Sequence, residues 1–175
     1  MNENSTVYAI DRKHEGAFGF FRLGMVALYA AVVLAFFLVV YMTRLIPVFA
    51  MCPFLMMILV LATWRYTQVT NEYRIEVGEI IFTRIYGNRS RKELIKLRIR
   101  EDVQEVFPAE DARGGNYAKV YDFRGSVNTP DAYCLVFTGS KDERCIVYFE
   151  ATRKAIKLLS LYNPAVVSGK KELRY

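Results

Sequence analysis

The chain has 175 residues, a formal net charge of +6 and a hydrophobic content of 53%, above the roughly 45–50% of ordinary globular chains. The excess lies between Leu23 and Trp64, and what remains is long enough for one compact domain and too short for two. From Arg65 to Tyr175 there are 20 Lys+Arg against 15 Asp+Glu. That surplus is small for a dedicated nucleic-acid binder and suits anionic lipid headgroups beside a membrane anchor.

Residues 1–22 read as a flexible tail, polar and without periodicity up to Gly16 and closing on the aromatic lead-in 17–22 (AFGFFR). Leu23–Thr43 carries no charge, and at about 1.5 Å per residue it covers roughly 30 Å, one bilayer core. Its length and the lack of an A-x-A site mark an uncleaved anchor rather than a signal peptide. Leu45–Trp64 is a second such segment, with Pro47 near its start and Pro53 deeper, where a kink or a reset start is expected. A link of a few residues around Arg44 makes the two helices antiparallel neighbours, so residues 23–66 form a transmembrane hairpin. Arg12, Lys13 and Arg22 precede it and Arg65, Arg74, Arg84, Arg89, Arg91 and Lys92 follow it, with Arg44 alone at the far end. The positive-inside rule then places both termini in the cytoplasm of a two-pass cell-membrane protein.

After Trp64 the period changes to two. Glu72–Val77 alternates Tyr73, Ile75 and Val77 against Glu72, Arg74 and Glu76, and a turn at Gly78-Glu79 leads into Glu79–Tyr86. Arg91–Arg100 follows, with Ile95, Leu97 and Ile99 opposite Lys96, Arg98 and Arg100, then Val103–Phe107 up to Pro108. Residues 109–131 are loop-rich, with Tyr117–Phe123 as a further candidate strand. Ala132–Thr138 and Arg144–Glu150 form a hairpin around the turn 139–142. Cys134 and Cys145 lie in these two runs, where a disulfide or two small buried side chains would both fit. Residues 152–162 read as a helix capped by Thr152, with Ala155, Ile156, Leu159 and Tyr162 on one face, and 166–175 as a basic tail.

Six or seven strands followed by one helix is the order of a pleckstrin-homology-type domain. Tyr73-Arg74-Ile75, Ile80-Ile81, Gly87 with the basic Arg89, Arg91 and Lys92, then Ile95, Ile99 and Asp102-Val103 resemble a bacterial PH-like domain. The resemblance is specific over about 71–106 and rests on element order over 132–162; 108–131 is longer and richer in loop residues than that pattern. It implies an α+β fold, in which a strongly bent sheet or barrel over 67–165 is plugged at one end by the C-terminal helix, and a setting behind one or two transmembrane helices. It supplies no catalytic residues.

The residues point to no chemistry. The one histidine, His14, has no partner for nucleophilic catalysis, and no metal-ligand spacing occurs. No enzyme activity and no cofactor are expected, and uncharged helices argue against ion transport. The feature that stands out is a basic ridge of seven Lys+Arg against one Glu from Arg84 to Arg100. Read as a binding surface, Arg89, Arg91, Lys92, Lys96, Arg98 and Arg100 face anionic lipid headgroups, a protein partner or another copy of the chain; read plainly, they are a solvated sheet face. Nucleic acid is not expected, despite Tyr86 and Tyr117 as stacking groups. The expected function is a non-catalytic membrane-anchored binding module. The alternative is an accessory subunit of a transporter or secretion complex in which the two helices are the working part.

Overall fold

The computed structural model describes residues 5–13, 15–44, 46–87, 90–112, 115–139 and 142–168. The order is β1 (Ser5–Asp11), α1 (Gly16–Thr43), α2 (Ile46–Thr63), β2 (Val69–Glu76), β3 (Glu79–Tyr86), β4 (Ser90–Arg98), β5 (Val103–Pro108), β6 (Lys119–Asp122), β7 (Ala132–Thr138), β8 (Arg144–Glu150) and α3 (Arg153–Tyr162). A 3-10 turn, Trp64–Thr67, joins α2 to β2. The architecture is α+β: two long helices, two four-stranded sheets ordered β1-β2-β3-β4 and β5-β7-β8-β6, and a C-terminal helix.

α1 begins at Gly16, so the aromatic lead-in is already helical. It closes at Arg44, whose left-handed φ of 54° lets its N–H reach the Val40 carbonyl at 2.8 Å and turns the chain back. α2 runs through Pro53 as one helix. The end of α2 and the turn after it pack along the first half of α1: Tyr29 Oη lies 2.6 Å from Thr63 Oγ1, and the Arg22 guanidinium stacks 5.3 Å over the Trp64 ring.

The reading of residues 1–22 as a flexible tail is corrected by β1. Ser5–Asp11 pairs antiparallel with β2 from Ser5↔Glu76 to Asp11↔Thr70. The alternation of Thr6, Tyr8 and Ile10 with Val7 and Ala9 fits a strand, and Tyr8 packs on Tyr73 with ring centroids 5.6 Å apart. The helical pair is therefore inserted between two hydrogen-bonded strands. The other end of the chain also differs from the tail expected over 166–175: Val167 bridges Val106, and the flanking backbone bonds run from Val106 N–H to Val166 O and from Ser168 N–H to Val106 O. Residues 169–175 lie outside the described residues.

The core lies between the sheets. Tyr73, Ile75, Ile80, Phe82, Ile95 and Leu97 come from one sheet, Leu135, Phe137, Val147 and Phe149 from the other, and Ala155, Leu158 and Leu159 from α3. Leu158 belongs to the buried stripe of α3, whereas Ile156 and Tyr162 are half-buried at its margin. Thr152 caps the helix by accepting from Ala155 N–H, and Tyr73 ties β2 to that cap, donating to Thr152 Oγ1 at 3.4 Å and accepting from Thr152 N–H at 3.2 Å. Val77 is not on the core face: with Gly78 it makes the two-residue turn between β2 and β3, at φ 49° and 90% exposed. That is a strained conformation for a β-branched residue.

The segment after β5 is a cover. Ala109, Ala112 and Tyr117 pack on Phe107, Cys134, Val136 and Ile146, the outer face of the second sheet. This crossover delivers β6 parallel to β8 at the opposite edge. Cys134 faces that outer cluster and Cys145 the inner core, so the two thiols stand on opposite faces and are free.

Burial shifts two core groups upward. The Tyr73 phenol rises from 10.0 to about 12 because it is desolvated, the bonds to Thr152 opposing this in part. The Cys134 thiol rises from 9.0 to about 12 for the same first reason, opposed by the Arg124 charge. A phenol whose pKa is higher folded than unfolded contributes stability below pH 10 that is lost as pH rises towards 12. Tyr73→Phe should remove about 2–3 kcal/mol of that alkaline loss. Denaturant titrations at pH 9 and pH 12 check it, with Cys134 left to account for the remaining decline.

Candidate functional site

Two regions bear on function: the basic ridge on β4, and the root where the helices leave the sheet. Arg89 lies outside the described residues. The other five ridge cations do not share one face. β4 pairs with β3 through Phe82↔Ile95 and then Thr83↔Glu93, so Leu94 is an extra residue, a β-bulge that reverses the alternation. Above it, Lys96 and Arg98 point to the outer face, opposite Ile81 and Glu79. Beyond it, Lys92 pairs with Arg84 and so shares the face of Asn71 and the core, whereas Arg91 stays outside beside Ile85. Arg100 follows the strand and donates through Nε to the Tyr162 carbonyl at 3.1 Å.

Most of these charges are already matched. Lys96 meets Glu79 at 2.8 Å, Arg98 meets Glu101 at 2.8 Å and Arg91 meets Glu72 at 3.4 Å. The Arg98 guanidinium is held above its usual pKa by its hydrogen bond to Glu101. Arg74 lies between Glu76 and Glu93, so the outer face is a mixed-charge lattice rather than a positive field. Exposed pairs like these are screened by solvent and add little stability, but they leave little free positive charge on that face.

At the root the balance is different. Both crossings between helix and sheet are pinned by backbone bonds: Arg12 N–H to Val69 O, Lys13 N–H to Gly125 O, and Gly87 N–H to Gln68 O. Ser126 Oγ reaches Glu15 at 2.7 Å. Gly125 has no room for a side chain, because a Cβ there would sit 2.8 Å from Ile10 and 3.1 Å from the Asp11 carbonyl. Its N–H donates to the buried Glu150 carboxylate at 2.9 Å. Beside it Arg124 is a two-pronged partner of Asp122 and stacks 4.7 Å over Tyr148. Burial disfavours its charge, but the Asp122 hydrogen bond and charge outweigh that and raise its pKa. Arg84 donates to Asn71 Oδ1 and the Asp122 carbonyl. This polar seam locks the 123–131 loop to both sheets, which loop composition alone did not reveal.

The root carries Arg12 and Lys13 at one crossing, Arg22 over Trp64 and Arg65 at the other, and Arg91 and Lys92 follow Ser90 at that end of β4; of these Arg91 alone has a carboxylate within ion-pair distance among the described residues. Tyr66 and Tyr86 lie edge to face there, 6.0 Å apart, and Arg65 covers the Tyr66 ring at 4.9 Å. A crevice of about 400 Å³ opens between the last turn of α2 and the β3–β4 hairpin. A second groove, about 670 Å³, separates β4 from the edge of the other sheet at β6.

No curated protein and no solved structure matches the chain. The pattern of one family, described as Bacterial PH-like domain (DUF6106), matches residues 7–169, from inside β1, through both helices, to just beyond the bridge on β5. The strand order, the closing helix and a match over nearly the whole chain agree: the chain belongs to the Bacterial PH-like domain (DUF6106) family.

Proposed function

We propose that the chain is a non-catalytic PH-like binding module anchored in a bacterial cell membrane by α1 and α2, with both termini and both sheets on the cytoplasmic side. The observation that carries this reading is the surface of the inserted helices. They are long and apolar enough to cross a bilayer, and they leave Leu34, Phe54 and Leu61 about two-thirds exposed (65%, 67% and 70%). A water-soluble monomer does not leave that much contiguous apolar surface bare. The cations at the root, against Arg44 alone at the far end, support the cytoplasmic placement.

The pinned root makes the anchor a positioning device: both crossings are held by strand pairing, so the domain meets the bilayer in one orientation. Its ligand class is anionic lipid or a protein partner on the same membrane. An anchor exchange tests the module. When an unrelated antiparallel helix pair replaces residues 16–63, with β1 and β2 in register, membrane localisation and capture of partners by crosslinking should both persist. Loss of partner capture with localisation intact favours an accessory subunit whose helices do the work.

A further inference from the structure

The crevice at the root has two unlike walls. One is the end of α2 and the turn after it, with Leu61 exposed between the half-buried Val60 and Trp64; the other is the hairpin end, with Tyr86 and Ser90. Arg65 stands at the rim between them. Its guanidinium gives one hydrogen bond, from Nη2 to Tyr66 Oη at 2.9 Å, and has no carboxylate within ion-pair distance among the described residues. The hairpin end lies against it, a Cβ built on Gly87 coming within ordinary contact of Arg65 Cβ at 3.4 Å. This differs from the ridge, where Lys96, Arg98 and Arg91 each meet a glutamate. A cation without a carboxylate, above an apolar wall continuous with a membrane-length helix, calls for an anion that carries its own hydrocarbon.

We propose that this crevice holds one glycerophospholipid from the leaflet that α2 leaves, its phosphodiester against Arg65 and the Ser90 hydroxyl, its first acyl carbons along Val60, Leu61 and Trp64. The volume, about 400 Å³, lies within the roughly 300–1,000 Å³ of ligand sites and takes the headgroup and glycerol, leaving the acyl chains in the bilayer. The lipid completes the contact between anchor and sheet by neutralising Arg65. The proposal rests on the membrane-anchored reading above.

The test uses the full chain extracted in mild detergent and weighed intact by native mass spectrometry, then supplied with phosphatidylglycerol or with diacylglycerol of the same acyl chains. One retained phospholipid per chain is expected, restored by phosphatidylglycerol and not by diacylglycerol. Arg65→Glu and Ser90→Trp should each lower occupancy by at least about tenfold, the loss of one charge-assisted contact or of the space itself. Lys157→Glu, exposed on α3 and away from the crevice, should leave it unchanged. Equal occupancy in Ser90→Trp, or equal binding of diacylglycerol, overturns the site while leaving the anchor reading intact. Recovery of the chain from the soluble fraction of lysed cells overturns both.

Discussion

Removing residues 1–12 should strongly destabilise the two-sheet domain. β1 pairs with β2 along its whole length, and its loss takes Tyr8 from Tyr73 and Ile10 from Gly125. Net hydrogen bonds of about 0.5–1.5 kcal/mol each and two partly buried apolar side chains put the loss at roughly 3–5 kcal/mol. Against a total of about 5–15 kcal/mol that is a large share, and at the low end of the range it leaves the domain without a folded majority. Residues 68–168 alone should therefore be expanded and prone to pair through the bare β2 edge. Joining residues 5–12 to 68–168 through a short glycine–serine loop should rescue folding, because Asp11 and Thr70 are paired neighbours. Urea denaturation followed by circular dichroism compares the two. Equal midpoints would show that β1 adds nothing.

In the joined domain, Leu159→Asp should cost more than any other single change in α3. Leu159 is fully buried between the sheets. Deleting such a side chain costs about 2–5 kcal/mol before an unpaired carboxylate is placed in the core, so the variant should have no cooperative transition. Ile156→Asp sits at the half-buried margin and can turn its carboxylate to water, which limits the cost to about 1–2 kcal/mol. The same denaturation series ranks them. Equal effects would mean that the helix does not plug the core along its Leu158–Leu159 side.

Much of this fold is legible in the sequence because β2 and the second half of β4 alternate with period two, whereas β3, β7 and β8 are short apolar runs, and tight turns join β2 to β3 and β7 to β8. α3 carries its own cap and stripe. β1 is not legible in the same way: its partner lies about sixty residues on, across two helices, and no local turn announces the pairing, although the run Val7–Ile10 has the residue types of a strand. β6 lies inside the run Tyr117–Phe123 that reads as a strand, but it pairs in parallel after a crossover, so no hairpin signal gives its partner. The basic ridge shows a different limit. Counting residues places Lys92 with Lys96 and Arg98, but the bulge at Leu94 turns it to the other face, and no composition rule reveals a bulge. The acidic partners of Arg91 and Lys96 come from other strands, Glu72 on β2 two strands away and Glu79 on the adjacent β3, and only the register brings them together. What the sequence could not weigh against the ridge was the root, because the cations there are scattered from Arg12 to Lys92 and meet only once β1 closes on β2.

The central claim is that a helix pair inserted between β1 and β2 crosses the membrane and returns the chain to the cytoplasm. Labelling of single cysteines in intact cells by a membrane-impermeant maleimide tests it most directly, in a chain whose Cys52, Cys134 and Cys145 are replaced by alanine. Arg44→Cys should label in intact cells, whereas Ser5→Cys and Val77→Cys should label only after lysis. Labelling of Ser5→Cys or Val77→Cys in intact cells, or protection of Arg44→Cys until lysis, would contradict the account.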